Sequence, residues 1–160
     1  MKVGFTCGAF DLLHAGHAMM LKEAREQCDF LIVAVQTDPS IDRPEKNKPV
    51  QSYKERITMV ESIRYVDQVR TYSTESQLVN LLKSINPDVR IVGADWKGKE
   101  FTGHELDIEV YFNSRDHGWS TSDLRDRVYK AELEKRNASR RKKAAEKSIA
   151  ALDMIDKMGR

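Results

Sequence analysis

Cysteine, long apolar runs and net charge are all scarce in this 160-residue sequence. Its two cysteines, Cys7 and Cys28, are too few for a disulfide framework, and no Cys/His spacing resembles a zinc site. The apolar run that follows Met1 and Lys2 has about five residues, too few for a signal peptide's hydrophobic region or a membrane span. The 27 basic and 25 acidic side chains nearly cancel to +2, which argues against a dedicated nucleic-acid binder. We therefore predict a cytoplasmic chain, in a reducing compartment, with no membrane span.

The small net charge conceals two segments of opposite character. Residues 130–160 hold ten Lys or Arg against five Asp or Glu, whereas residues 1–129 hold 17 against 20. The longer segment has the size of one ordinary domain, and the chain as a whole is 40% apolar, enough to bury one core. We predict one domain over residues 1–129, followed by a basic helical extension over residues 130–160.

Strand-like and helix-like patterns alternate along the chain. Strands are predicted near residues 3–7, 30–35, 68–70, 89–93 and 108–112, and helices after residues 17, 52, 78 and 120. The run from Phe30 to Val35 is apolar without alternation, which is typical of a strand covered on both faces. This order predicts an α/β fold with a doubly wound parallel sheet, in which ligands bind beyond the carboxyl ends of the strands. Residues 36–51 contain three of the four prolines and are predicted to form a long surface loop.

The first strand-to-helix loop carries two of the four histidines, His14 and His17, where a helix is expected to begin. Free backbone amides and the positive end of the helix dipole favour phosphate there, and Gly16 lets a ligand approach the backbone closely. Two imidazoles can donate hydrogen bonds to phosphoryl oxygens as a bond to phosphorus breaks. The pair is also consistent with structural histidines that cap the turn, or with a metal pair. The spacing alone leaves these alternatives open.

Three later segments extend the pattern. Residues 8–17 read Gly-Ala-Phe-Asp-Leu-Leu-His-Ala-Gly-His, and Arg-Tyr-Val-Asp (64–67), Gly-Ala-Asp-Trp-Lys-Gly-Lys (93–99) and Ser-Arg-Asp-His-Gly-Trp-Ser-Thr-Ser (114–122) follow. Together they resemble the cytidylyltransferase family of the HxGH nucleotidyltransferase superfamily, most closely the glycerol-3-phosphate cytidylyltransferases. The resemblance covers residues 1 to about 128 and implies a Rossmann-like nucleotidyltransferase fold, here with a C-terminal helical extension.

The resemblance also implies an activity. Family members transfer CMP from CTP to a small phosphorylated acceptor, glycerol 3-phosphate or similar, and release a CDP-linked product and pyrophosphate. They use Mg2+, form no covalent enzyme intermediate and are commonly homodimers. Two alternatives stay open for this chain: an adenylyltransferase of the same fold that uses ATP, and a non-catalytic nucleotide-binding regulatory module.

Site residues are carried over from the family motifs. Catalytic roles fall to His14, His17, Lys48 and Lys46; nucleotide binding falls to Gly8, Ala9, Phe10, Asp11, Gly16, Asp95, Trp96, Arg115, Ser120, Thr121 and Ser122; acceptor binding falls to Arg64. No protein residue is assigned to Mg2+, which the triphosphate is expected to hold, and Asp11 is the one candidate beside it. A lysine on a flexible loop is a movable charge suited to closing over a triphosphate.

Several of these residues have structural interpretations that the sequence leaves open. Asp11 is equally consistent with a functional carboxylate, which orients the loop or sits near the metal, and with a plain capping carboxylate. Lys46 and Lys48 are also consistent with solvated surface lysines. Arg64 is also consistent with a helix C-terminal cation paired with Asp67. Residues 95 and 96 are consistent with an exposed turn carboxylate and a half-buried indole. For residues 120–122, helix capping and phosphate binding are compatible.

The sequence departs from the family pattern at two places. Asp116 stands beside Arg115 where the family has a neutral hydroxyl residue, so binding of the nucleotide or acceptor is expected to differ. Residues 75–77 are Glu-Ser-Gln where the glycerol-3-phosphate enzymes carry lysines thought to serve the acceptor. The sequence therefore predicts a different acceptor.

The basic extension lies beyond what the family fold needs. It is rich in helix formers, lacks proline and is predicted to form one helix or two. Ala145, Ile149, Leu152 and Ile155 form a modest apolar stripe for packing on the core or on a partner. The run at 140–143 is interpreted as a solvated helix face rather than a site for nucleic acid or lipid, since affinity for phosphate backbones usually takes more charge on one face.

Overall fold

The computed structural model of the chain describes residues 1–114 and 116–159. It divides into two units, residues 1–121 and residues 122–160. The predicted domain boundary at 129/130 stays a prediction. Arg115, to which the sequence assigned nucleotide binding, lies outside the described residues.

The elements follow the predicted order. The strands are β1 (Val3–Gly8), β2 (Phe30–Gln36), β3 (Gln68–Tyr72), β4 (Val89–Gly93) and β5 (Glu109–Asn113). The helices are α1 (Ala15–Glu26), α2 (Tyr53–Glu61), α3 (Glu75–Ile85) and α4 (Thr121–Met158), with one turn of 3-10 helix at Ala94–Trp96 after β4. Ser52 and Thr74 cap α2 and α3 through capping boxes, which accounts for where these helices begin.

The five strands form one parallel sheet in the order β3-β2-β1-β4-β5. The predicted α/β class with a parallel, Rossmann-like sheet is confirmed. β2 lies between β1 and β3 and is buried along nearly its whole length, as its uninterrupted apolar run predicted. The order reverses between β1 and β4, so the loops after these two strands flank the topological switch point where ligands bind in such sheets.

Two apolar clusters cover the two faces of the sheet. On one face, Leu21 and Ala24 of α1 and Val60 of α2 pack with residues of β2 and β4. On the other, Leu78 and Leu82 of α3 pack with Phe5, Ile32 and other strand residues. The central strands are thus covered on both faces, so we expect ligands at the loops beyond the carboxyl ends of the strands.

The C-terminal segment differs in detail from its prediction. It is a single 38-residue helix that begins at Thr121, directly after Ser120. The helical spacing of Leu124 and Val128 in the sequence predicts that both point inward, but Val128 is 59% exposed, because two apolar residues are too weak a signal to identify a buried face. None of the helices among residues 1–114 and 116–159 combines the length and the apolar character needed to cross a bilayer.

Candidate active site

His14 and His17 form the first turn of α1 through reciprocal hydrogen bonds. His14 is the N-cap residue in an extended conformation, and its Nδ1 accepts the backbone N–H of Gly16 at 3.1 Å. The Nδ1 of His17 accepts the backbone N–H of His14 at 3.3 Å. The two rings are 4.1 Å apart between centroids. The capping interpretation is therefore part of the structure, and it orients both rings at the N-terminus of the helix.

This arrangement favours one tautomer in both histidines. A backbone N–H can only donate, so each Nδ1 is an unprotonated acceptor, and a neutral ring carries its proton on Nε2. His14 Nε2 lies 3.3 Å from Thr121 Oγ1, which in turn donates to the carbonyl oxygen of Asp11 at 3.4 Å. Each imidazole thus carries its donor, Nε2–H, on the side away from the turn, where that of His14 contacts Thr121. Such donors are the groups that stabilise charge on phosphoryl oxygens.

Gly16 is required by close packing rather than by its backbone angles. A Cβ at this position would lie 2.9 Å from Cε1 of His14 and 2.9 Å from Cε1 of His117. Both rings pack directly over the glycine, at the second residue of α1. A larger residue here would displace the histidines from the end of the helix.

The loop between β1 and α1 is strained and held by side chains from elsewhere. Phe10 and Leu12 adopt left-handed conformations with φ of 50° and 49°, which cost energy for residues with a Cβ. The Asp11 carboxylate between them accepts the backbone N–H groups of Val50 (3.0 Å) and Gln51 (2.9 Å). Gln51 Oε1 accepts the N–H of Leu12 at 2.7 Å. These bonds tie Asp11 to the long loop, and its assignment to nucleotide binding stays a prediction.

The buried side chain of Arg56 stabilises the same loop through hydrogen bonds to backbone carbonyl oxygens. It is 1% exposed, and Nη1 donates to the carbonyl oxygens of Ala9 and Gln36, both at 2.6 Å. Nη2 donates to Thr37 O, and Nε donates to Gln51 O at 3.3 Å. Burial lowers the pKa of the guanidinium, and the charge of Asp11 opposes that shift. Arg56 therefore ties the end of β1 to both ends of the long loop.

The long loop at residues 37–52 is fixed at its ends and exposed in its middle. Arg43 Nη2 contacts Gln36 Oε1 at 3.0 Å and Glu75 Oε1 at 3.2 Å. Lys46 and Lys48 lie between this contact and the anchor at Asp11, and both are exposed. An anchored loop with exposed lysines is compatible with the proposed movable charge, and with solvated lysines as well.

The other predicted residues lie as follows. Asp95 and Trp96 form the 3-10 turn after β4, the strand next to β1, with Asp95 exposed and Trp96 half-buried. Ser120 and Thr121 close the first unit, and Ser122 begins the second. The Arg64 guanidinium lies over the Tyr65 ring and donates to its hydroxyl at 2.8 Å.

Asp67, considered as a partner of Arg64, is engaged elsewhere. Its Oδ2 accepts the backbone N–H of Leu31 at 2.8 Å and contacts Arg25 Nε at 3.1 Å. The exposed cation of Arg64 is therefore held by an aromatic ring rather than by a carboxylate.

The departure at Glu75 also has a structural basis. Its carboxylate accepts hydrogen bonds from Gln36 Nε2 (3.2 Å) and Thr102 Oγ1 (2.5 Å), in addition to the ion pair with Arg43. Its backbone N–H donates to Asp42 Oδ2 at 2.6 Å. Glu75 thus joins the long loop, the end of β2 and the loop before β5.

Sequence reasoning missed four residues that shape the site: Gln51, Arg56, Glu23 and His117. Glu23 of α1 accepts hydrogen bonds from Ser114 N (2.9 Å) and Tyr111 OH (3.0 Å), so it anchors the start of the loop after β5. The bond to Glu23 raises the pKa of the Tyr111 hydroxyl. No local pattern marks these residues because their partners are distant in sequence. Only His117 carried a signal, as a histidine inside a quoted motif.

Metal binding at the site depends on what the donors already do. Among residues 1–114 and 116–159, no cluster of three His, Cys, Asp or Glu side chains could hold a metal ion. The Asp11 carboxylate accepts backbone N–H groups through both of its oxygens. Mg2+ keeps several waters and binds readily to phosphate oxygens.

Comparison with known proteins gives one family match. The family model described as Cytidylyltransferase-like matches residues 5–127. Among curated proteins, the chain is 38% identical over 128 residues to the "Bifunctional protein HldE" of Campylobacter concisus, covering 79% of the chain and 27% of that protein. It is 36% identical over 128 residues to the HldE protein of Helicobacter pylori strain HPAG1, with the same coverage. The chain thus spans little more than a quarter of the length of these relatives.

Solved structures show the same fold. The lipopolysaccharide core biosynthesis protein from Thermoplasma volcanium superposes with a TM-score of 0.61 at 24% identity, over 71% of this chain and 97% of that chain. Pantothenate synthetase from Thermus thermophilus superposes with a TM-score of 0.51 at 14% identity, over 71% and 55%. At these identities the likeness concerns the fold.

Proposed function

The chain belongs to the cytidylyltransferase-like family of nucleotidyltransferases, and from that premise we propose that it transfers a nucleoside monophosphate from a Mg2+-bound triphosphate to a phosphorylated sugar. The observation that carries the proposal is the His14–His17 turn. It presents two imidazoles with protons on Nε2 at the N-terminus of α1, beside the topological switch point of the sheet. The expected location is the cytoplasm, where triphosphates are abundant, and the expected assembly is a homodimer.

ATP is the nucleotide that we propose. The sequence motifs alone favoured CTP and left ATP as the alternative, and the similarity to the HldE proteins favours the alternative. The base would lie against residues 94–96 after β4, where Trp96 offers a half-buried aromatic surface. An aromatic surface suits either base, so the choice of ATP rests on the relatives.

The reaction needs positioning rather than covalent chemistry. An oxygen of the acceptor phosphate attacks the α-phosphorus, and the bond from that phosphorus to the bridging oxygen of the leaving pyrophosphate breaks with its electron pair on that oxygen. The acceptor phosphate attacks as an anion, so no general base is required. His14 and His17 would donate Nε2–H bonds to the α-phosphoryl oxygens, and Lys46 or Lys48 would approach the triphosphate as the loop closes. Bound Mg2+ would neutralise charge on the phosphates.

The proposed acceptor follows from the cluster around Glu75. This cluster contains carboxylate, amide and hydroxyl groups, with Arg43 paired to the carboxylate, where the glycerol-3-phosphate enzymes that the sequence resembles carry lysines. Such groups bind sugar hydroxyls better than they bind a second phosphate, because a carboxylate repels phosphate. Arg64 is the cation proposed for the acceptor's own phosphate.

One assay tests the proposal. Pyrophosphate release is measured with ATP, CTP, GTP and UTP, each against a panel of sugar phosphates and glycerol 3-phosphate. We expect release with ATP and a sugar phosphate. Release with CTP alone would restore the cytidylyl hypothesis, and tight nucleotide binding without release from any pair would favour the regulatory module.

His17→Ala supplies the internal control for catalysis. The variant loses one transition-state donor, and turnover is expected to fall on the order of 10²-fold. It also loses half of the capping box, which costs about 1 kcal/mol of stability and leaves the fold intact. Normal turnover in folded His17→Ala would remove the proposed role of the turn.

A further inference from the structure

His117 is a third histidine at the same helix end, and the proposed mechanism gives it no role. It lies in the loop between β5 and α4, half-buried, with Cε1 against Gly16. The Cε1 atom of His14 lies against the same glycine. The N-terminus of α1 is thus flanked by two imidazoles that come from loops more than 100 residues apart.

One tautomer of His117 is favoured in the same way as in His14 and His17. Its Nδ1 accepts the backbone N–H of Trp119 at 3.1 Å. Because that nitrogen accepts, the proton of the neutral ring is on Nε2. His104 is the counterexample: its Nδ1 faces the carbonyl oxygen of Phe101 at 2.9 Å, which requires a proton on Nδ1. The three histidines around Gly16 therefore all offer Nε2–H, whereas the distant one does not.

The ring of His117 is also held in place. It stacks on the Trp119 indole with centroids 5.4 Å apart and an interplanar angle of 17°. Gly118 between them has φ of 67°, a conformation that glycine adopts without strain and that brings the two side chains together. Glu23 fixes the start of this loop through Ser114. An oriented donor loses little entropy when it binds, which is what an electrostatic catalyst needs.

We infer that His117 is a catalytic residue whose Nε2–H donates a hydrogen bond to the departing pyrophosphate. The inference rests on the proposed nucleotidyl transfer. As the bond between the α-phosphorus and the bridging oxygen breaks, negative charge grows on the pyrophosphate oxygens, and the His117 donor stabilises that charge without giving up its proton. His117 belongs to the loop that leads into residues 120–122, which the sequence assigned to phosphate binding. His14 and His17 act on the phosphorus that is transferred, and His117 acts on the group that leaves.

Two variants with opposite expectations test this role. His117→Phe keeps an aromatic ring on Trp119 and removes the donor, whereas His117→Gln keeps an N–H donor near the position of Nε2. We expect His117→Phe to lower kcat on the order of 10²-fold and to raise KM for pyrophosphate in the reverse reaction. His117→Gln should recover most of both values. His104→Ala, which removes an exposed histidine of opposite tautomer, is the matched control and should behave as the parent chain.

A purely structural role predicts a different result. If His117 only shapes its turn, both variants lower the melting temperature to a similar extent and leave KM for pyrophosphate unchanged. That outcome overturns the inference, as does normal turnover in His117→Phe.

Pyrophosphate binding separates the inference from the proposed function. Inorganic pyrophosphate with Mg2+ should raise the melting temperature of the parent chain, of His104→Ala and of His117→Gln, and raise that of His117→Phe much less. If the parent chain has no turnover with any substrate pair, the proposed function fails, and this binding difference still supports a pyrophosphate contact. Equal shifts in all four chains, or no shift in the parent chain, would reject it.

Discussion

Arg56 donates a 2.6 Å hydrogen bond to the carbonyl oxygen of Ala9, and it does so from a position that is 1% exposed. The same guanidinium reaches carbonyl oxygens at Gln36, Thr37 and Gln51. Its acceptors are therefore backbone groups from the loop after β1 and from both ends of the long loop. A single cation fixes the relative position of the segments that would carry the phosphate-binding histidines and the mobile lysines.

Replacing Arg56 with lysine tests that role. The planar guanidinium has five N–H donors, whereas the lysine ammonium has three and cannot reach all four carbonyl oxygens. Some of these buried carbonyl groups would lose their partner, and the buried ammonium charge would be poorly solvated. We expect the free energy of unfolding in urea to fall by about 3 kcal/mol. Arg70→Lys, at an exposed position on β3, should change it little. Equal stability of the two variants would mean that water or a shifted backbone replaces the lost bonds.

Asp11→Asn separates the two functional interpretations of this carboxylate. In the parent chain both carboxylate oxygens accept a backbone N–H of the long loop. In the variant an NH2 group replaces one of these oxygens and faces that N–H, so the end of the long loop should loosen. We expect turnover to fall about tenfold or more, while the Mg2+ concentration for half-maximal rate stays the same. Asp107→Asn removes an exposed charge and should alter neither quantity. A shift of the Mg2+ dependence in Asp11→Asn alone would instead identify Asp11 as a metal ligand.

Thr121 is expected to hold His14 in its productive tautomer. Its hydroxyl accepts from His14 Nε2 and donates to Asp11 O, so Thr121→Val removes both bonds with little change in volume. We expect kcat to fall about tenfold and the nitrogen chemical shifts of His14 to show a mixture of tautomers. Thr121→Ser keeps the hydroxyl and should retain a single tautomer and near-normal kcat. Unchanged shifts in Thr121→Val would leave the capping turn as the sole determinant of the tautomer.

How far the sequence predicts this molecule depends on the range of each interaction. The run from Phe30 to Val35 predicted an interior strand, and the apolar spacing before Asn86 predicted α3, because both signals are local. The His14–His17 turn was recognised for the same reason. By contrast, Arg56 looks like an ordinary charged helix residue, and only the fold brings its acceptors together.

Two further differences have the same origin. Glu75 was noted as a departure from the family pattern, but its bonds to Thr102 and Arg43 link segments that the sequence keeps far apart. The sequence showed His117 only as one residue of a motif and did not predict its contact with Gly16. That contact requires β5 to lie two strands from β1 in the sheet. Non-local contacts of this kind determine most of the site's geometry, and composition or periodicity does not encode them.

The apolar stripe on α4 leads to a prediction about assembly. Ile149, Leu152 and Ile155 are 60%, 65% and 67% exposed, and with Ala145 they share one side of the helix. Exposed isoleucine and leucine at this spacing favour pairing with a second helix, so we expect the full chain to form a homodimer through this segment. A chain truncated after Val128 should be monomeric in light scattering, and its turnover should equal that of the full chain.

A double variant distinguishes loss of the stripe from loss of the helix. Ile149→Lys with Leu152→Lys keeps good helix formers and makes the stripe polar, so it should also be monomeric. Substituting the basic run at 140–143 with glutamine removes charge at unchanged length and should leave the dimer intact, since that run is interpreted as a solvated face. A truncated chain that still dimerises would place the interface on the first unit, and the exposed stripe would then need another partner. If only the glutamine variant dissociates, electrostatic contacts rather than apolar packing would hold the dimer.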